Sequence, residues 1–274
     1  MENCSLSRIF LEMIIEPKTL KLKKLQLNLE TILKVIAAII TFSVFLRGAI
    51  DVDYGYDSWG YHLPFAARIW NIIPAEQFIN MEARFDGFPL LGEFFQGFLW
   101  WITRRVQSAN LVGFLSLVIY VYFLKRHFQI AYYLSIIALL AVPSIQIHAS
   151  NSYVDLIANI FLAMMILMAY KLYEQQELPS IRDLIIIFLA GFGSSNSKPQ
   201  LEPLVFAVLV FITLRILWLE WHNSVNRQQL VKWLYKAVPI ALLASLLIFA
   251  TPVRNIIAYG NPFYPVKIEL LVRY

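Results

Sequence analysis

Three carboxylates and a histidine fall within one short run, Asp51-Val-Asp53-Tyr-Gly-Tyr-Asp57-Ser-Trp-Gly-Tyr-His62-Leu-Pro64. Carboxylates so placed support two kinds of chemistry. One of them can act as a general base, taking a proton from a hydroxyl or an amine. Asp51 and Asp53 could instead hold a divalent cation through hard oxygen ligands. Asp57 is the leading base, with Asp51 and Asp53 as the other candidates. The plainer roles are a helix cap for Asp57, ahead of the first turn that Pro64 suits, and solvated chain-exit acids for the other two.

Other candidates lie further along. Asp86 and Glu93 occur in Phe85-Asp-Gly-Phe-Pro-Leu-Leu-Gly-Glu93, and Glu93 stands between apolar residues. Asp155 opens an apolar stretch, where an acid is costly and marks either a functional group or a cap. His148 precedes it by seven residues. Lys198 sits in the run Gly191-Phe-Gly-Ser-Ser-Asn-Ser-Lys198-Pro199, and Arg254 in Thr251-Pro-Val-Arg254-Asn255. Each of these cations could bind a phosphate, or simply snorkel to lipid headgroups.

The elements that must position these groups are set by composition. Hydrophobic residues make up 59% and charged residues 15% of 274 residues, against roughly 45–50% and about 25% in soluble domains. The excess falls in blocks long enough to cross a hydrocarbon core, which takes about 20 residues per helix. The expected class is an all-α, polytopic transmembrane helical bundle. Seven apolar segments are predicted, near 31–50, 108–124, 130–147, 153–170, 183–194, 201–218 and 237–253. The fifth is short, and its break at 191–199 requires protein or a water-filled cavity to satisfy the backbone.

The net charge of +5 does not indicate nucleic acid, because the basic residues flank the apolar blocks as topology signals do. Lys18, Lys21, Lys23, Lys24 and Lys34 predict a cytoplasmic N-terminus. Lys125 and Arg126, Lys171 and Arg182, and Arg227, Lys232 and Lys236 agree with that orientation. Residues 1–30 then form a cytoplasmic segment, and 31–274 a transmembrane domain with an outer loop at 51–107. That loop holds Asp51, Asp53, Asp57, Glu76, Glu82, Asp86 and Glu93 among aromatic residues, a pattern expected of helices lying in the membrane interface. The single Cys4 excludes an internal disulfide framework and a multi-cysteine metal site. The first apolar block lacks a small-residue cleavage site and is expected to stay as an anchor.

In this order the motifs resemble the polytopic GT-C-type glycosyltransferases, the superfamily of protein mannosyltransferases and lipid A aminoarabinose transferases. Asp57-Ser-Trp-Gly-Tyr-His-Leu-Pro64 resembles the D-x-x-x-YHLP run of bacterial members. Phe88-Pro-Leu-Leu-Gly-Glu93, Tyr153-Val-Asp155, Ser197-Lys198, and Arg254-Asn255 followed by Gly260-Asn-Pro-Phe-Tyr-Pro265 resemble further conserved places of that group, and the likeness covers about 31–265. It implies inverting sugar transfer from a polyprenyl-phosphate-linked donor to a glycan, lipid or protein acceptor at the outer face of a bacterial inner membrane. Asp57 would be the base, and Lys198 or Arg254 would stabilise the departing lipid phosphate. His62, Glu93 and Asp155 would contribute to substrate binding. A divalent cation could take part, and the likeness implies no other cofactor. Members of the group usually continue with further spans, so the chain reads as an N-terminal portion, with an inactive fragment as one alternative. A transporter or flippase, or a structural subunit, is the other.

Overall fold

The computed structural model describes residues 6–74, 82–223 and 227–266, with side chains over 28–74, 83–222 and 228–266. Glu76, the side chains of Glu82 and Arg227, and those of the lysines before Lys34 lie outside the described residues. Among the described residues the chain is all helical. Helix α1 (Leu6–Ile50) leads into a widened turn (Ser58–His62) and α2 (Leu63–Ile69), and α3 (Glu82–Gly87) and α4 (Leu91–Thr103) follow. The rest is α5 (Leu111–Phe128), α6 (Tyr132–Leu140), α7 (Pro143–His148), α8 (Asp155–Glu174), α9 (Ile181–Ser195), α10 (Glu202–Asn223), α11 (Arg227–Ile248) and α12 (Ala250–Tyr259).

Five stretches are long and apolar enough to cross a membrane: Asn28–Ile50, Val106–Phe128, Asp155–Glu174, Pro199–His222 and Gln228–Ile248. The chain is thus a helical membrane protein. The other two predicted segments differ from these five. The third is split into α6 and α7, because Pro143 has no N–H to continue the ladder and Val142 before it is extended. The fifth, α9, has 15 residues. The last predicted segment also divides, at Phe249, into α11 and α12.

Helices α8 and α9 form the centre, with Met165, Met168 and Ile187 almost wholly buried beside Val205 and Ile248. In lipid the helices gain little from burying apolar surface against one another, so close approach matters more. Two glycines show it. A Cβ on Gly113 would stand 2.3 Å from the His148 carbonyl oxygen, and one on Gly92 would stand 2.5 Å from a Val154 methyl. Helix α5 therefore meets α7, and α4 meets the start of α8, at distances only glycine allows. Helices α1, α10 and α11 turn their apolar faces outward, as Ile39, Leu214 and Leu246 do. Such faces suit a hydrocarbon surround.

The bundle has two chemically different ends. At one, Lys34 stands over the Tyr133 ring, and a groove holds both Lys34 and Lys125. Lys171 pairs with Asp183 at 3.0 Å, and Arg215 donates to the Tyr173 and Gln175 carbonyls at 2.8 Å each. Trp233 Nε1 donates to the Pro179 carbonyl at 2.8 Å. At the other end lie Asp51 to Glu93, Asp155, the 195–199 break and α12.

Candidate active site

The loop that follows α1 is fixed by Asp53. Its Oδ1 accepts from the Gly55 N–H at 2.8 Å, and its Oδ2 accepts from the Ser152 N–H at 2.8 Å and from the Ser58 hydroxyl. Ser152 is wholly buried. Its hydroxyl donates to Asn110 Oδ1 at 2.6 Å, and its carbonyl accepts from Gln96 Nε2 at 2.6 Å. Asn110 Nδ2 in turn donates to the Asp51 carbonyl at 2.9 Å. Asp53 therefore knots the loop to α4, α5 and the turn before α8. Both of its oxygens are thus engaged in holding the loop.

Asp51 is exposed and lies 3.8 Å from Arg47, one turn back on α1. Among the described residues no group of three or more His, Cys, Asp or Glu side chains is placed to hold a metal ion. Of the two acids offered for a cation, Asp53 gives its oxygens to three protein donors and Asp51 lies against Arg47.

Asp57 differs from both neighbours. It is half-buried and helical, with φ −67° and ψ −31°, and its side chain makes no capping hydrogen bond. Among the described residues its carboxylate has no hydrogen-bond or ion-pair partner. The expected cap is thus not formed. The local backbone explains its setting. Pro64 has no N–H to give back to Gly60, and the turn before it widens, so that Leu63 N–H bonds the Ser58 carbonyl five residues earlier. The wide turn buries Ser58 and His62 together and leaves Asp57 beside Tyr61 and Tyr153.

The two tyrosines wall this carboxylate. Burial pushes the Tyr61 phenol up to about 12, the nearby Asp57, Glu93 and Asp155 charges add to the rise, and Arg84 opposes it. Burial and the Asp57 charge likewise raise Tyr153, an effect the Asp57 backbone partly offsets. Both phenols stay protonated and can donate hydrogen bonds beside Asp57. Arg84 stands over the Tyr61 ring at 5.4 Å.

His62 and Glu93 form a buried pair behind this wall, Nδ1 to Oε1 at 2.7 Å. Glu93 reaches it from the first turn of α4. Its other oxygen, Oε2, is buried without a hydrogen-bond partner, as are Gln96 Oε1 and His148 Nδ1.

Asp155 and Lys198, read separately in the sequence, are joined by an ion pair between Oδ1 and Nζ. Pro199 bars Lys198 from a helical backbone, and its extended φ of −151° carries the side chain from the end of α9 across to the start of α8. The break is anchored by Asn196, whose carbonyl accepts from the Leu91 N–H at 2.9 Å, and by Ser195, whose hydroxyl donates to the Ile248 carbonyl at 2.8 Å. Asp155 and His148 also stand at the edge of a cavity of about 390 Å³ lined by Leu117, Leu139, Ile145 and Ile160.

Arg254 is not brought to this pair. It is exposed and donates to Asn255 Oδ1 from Nε at 3.3 Å and from Nη2 at 3.1 Å. Asp86 is exposed as well. The structure therefore gathers Asp57, His62, Glu93, Asp155 and Lys198 at one end, uses Asp53 as a tie, and leaves Asp51, Asp86 and Arg254 at the margin. Sequence reading passed over Tyr61, the Gln96–Asn110–Ser152 network and Glu202. A polar residue inside an apolar run was the available signal for Gln96 and Glu202, the same signal that marked Asp155. No protein-family model, curated protein or solved structure matches this chain at a significant level.

Proposed function

We propose that this protein is a membrane glycosyltransferase of the GT-C type. It moves a sugar from a polyprenyl-phosphate-linked donor to an acceptor at the outer face of the membrane. Seven segments cross, with the split α6–α7 and the short α9 counted among them, and α2 to α4 lie in the outer interface. The N-terminus is cytoplasmic, so the end carrying Asp57 faces outward.

The observation that carries the reading is the difference among three neighbouring acids. Asp53 accepts three hydrogen bonds from protein donors, Asp51 is exposed against Arg47, and Asp57 is half-buried with no partner among the described residues. A base must have a free lone pair within reach of the proton it takes. In the proposed step the acceptor oxygen attacks the anomeric carbon and the bond from that carbon to the lipid phosphate oxygen breaks. The phosphate leaves with the electron pair, and Asp57 takes the acceptor proton. Attack opposite the leaving group inverts the centre, and no covalent carboxylate intermediate is formed. Tyr61 and Tyr153 orient the acceptor as donors. Lys198, steered by Asp155, offsets the charge that develops on the phosphate. The apolar cleft beside Asp155 takes the proximal part of the prenyl chain.

The test is transfer by the purified chain in liposomes containing a polyprenyl-phosphate sugar. Release of free polyprenyl phosphate together with a glycosylated acceptor supports the reading. Lys198→Ala then weakens use of the donor more than of the acceptor, and equal loss toward both removes the phosphate role of Lys198.

A further inference from the structure

One buried acid takes no part in the site above. Glu202 opens α10 immediately after the Pro199–Leu201 turn and is 5% exposed. Among the described residues its carboxylate makes no hydrogen bond and no ion pair. A carboxylate held away from water without a partner is costly. This one is not sealed in. It lines a cavity of about 240 Å³ together with Phe88, Gln200, Thr251, Phe263 and Tyr264. Thr251 is 9% exposed, and its hydroxyl likewise makes no hydrogen bond among the described residues.

The cavity has a constructed frame. Asn255 Nδ2 donates to the carbonyls of Gly87 at 2.8 Å, Tyr264 at 3.2 Å and Pro262 at 3.4 Å, binding α12 and the turn that follows it to the end of α3. Gly87 allows that approach, since a Cβ there would stand 2.6 Å from the Tyr264 carbonyl oxygen. The framing groups are thus satisfied, while Glu202 and Thr251 are left over.

The leftover groups define the ligand. An acyl or prenyl chain would leave both unpaired. A phosphate would be repelled by Glu202. A lone metal ion would find a single carboxylate. A ring bearing several hydroxyls meets each need: its O–H groups donate to Glu202, one of them exchanges with Thr251, and an apolar ring face covers Phe88 or Phe263. The volume is below the ~300–1,000 Å³ of pockets for drug-sized molecules, which favours one ring.

We propose that this cavity binds a single sugar ring, with Glu202 and Thr251 holding its hydroxyls. The proposal rests on the transferase reading and gives it a sugar subsite. Pro199 and Gln200, which follow Lys198 in the chain, form part of the cavity wall. The sugar comes either from the lipid-linked donor or from the acceptor.

Saturation-transfer NMR on the full chain in detergent, with free hexoses and pentoses as probes, reads binding without turnover. Wild type is expected to transfer saturation to at least one sugar. Glu202→Ala is expected to weaken that sugar about tenfold or more, and the isosteric Glu202→Gln to weaken it less while preserving the fold. No transfer to any sugar by wild type, or equal transfer by wild type and Glu202→Ala, overturns the proposal. Displacement of the free sugar by a sugar-loaded polyprenyl phosphate supports it with the donor's ring as occupant. Failure to displace supports it with the acceptor's. Sugar binding that depends on Glu202 in a chain without transferase activity keeps the cavity and removes the transferase. Transfer with binding indifferent to Glu202 does the reverse.

Discussion

His62 Nδ1 lies 2.7 Å from Glu93 Oε1, and both side chains are 4% exposed. The pair joins the turn that carries Asp57 to the first turn of α4, across 31 residues of chain. It sets where that turn sits, and so where Asp57 faces.

Removing either partner leaves the other buried without a hydrogen bond. Glu93→Ala and His62→Ala are each expected to lower stability by about 1–3 kcal/mol, read as a drop in melting temperature in detergent. The double variant should lose less than the sum of the two. Additive losses would show that the two side chains act independently.

Asp53 and Asp51 should separate cleanly. Asp53→Ala strips the partner from the buried Ser152 N–H and should cost about 1–3 kcal/mol of stability. Asp51→Ala removes an exposed pair at 3.8 Å and should stay within about 0.5 kcal/mol of wild type. Equal effects of the two changes on melting would contradict the tie assigned to Asp53.

The phenol of Tyr61, pushed up to about 12 from 10.0 chiefly by burial, keeps its proton in the folded chain where the unfolded chain would lose it. Its contribution to stability is therefore present below pH 10 and is lost as pH rises from there through about 12. Tyr61→Phe should remove one late-titrating phenol from the near-ultraviolet tyrosinate curve and make the alkaline loss of stability shallower. An unchanged curve would contradict the buried setting of Tyr61.

Orientation is read by cysteine labelling in a Cys4→Ser background. Ser58 is buried, so the informative positions are Tyr54 at the acidic end and Trp221 at the basic end, 88% and 86% exposed. An impermeant thiol reagent should label Tyr54→Cys in intact cells, and Trp221→Cys only after permeabilisation. The opposite pattern would invert the protein and remove the outward-facing site.

The sequence made the helical class legible because apolar runs of span length have few other stable states. It also made legible which end collects the acids, since charge beside a span has nowhere else to go. The pairings were not legible. Asp53 bonds a residue 99 positions away, and Asp155 bonds one 43 away. Local spacing carries no trace of such partners, so nothing in the run that favoured Asp57 as the base showed that the Ser152 turn engages Asp53. The break inside the third segment was available from Pro143, whose missing N–H ends the helix that hydropathy alone runs through.

In the proposed reaction Asp57 is the carboxylate that takes the acceptor's proton. The direct measurement is sugar transfer from a polyprenyl-phosphate donor by Asp57→Asn in liposomes, beside wild type of equal expression, insertion and melting temperature. A loss of about 10²- to 10⁴-fold is expected. Turnover at the wild-type rate would contradict that role of Asp57.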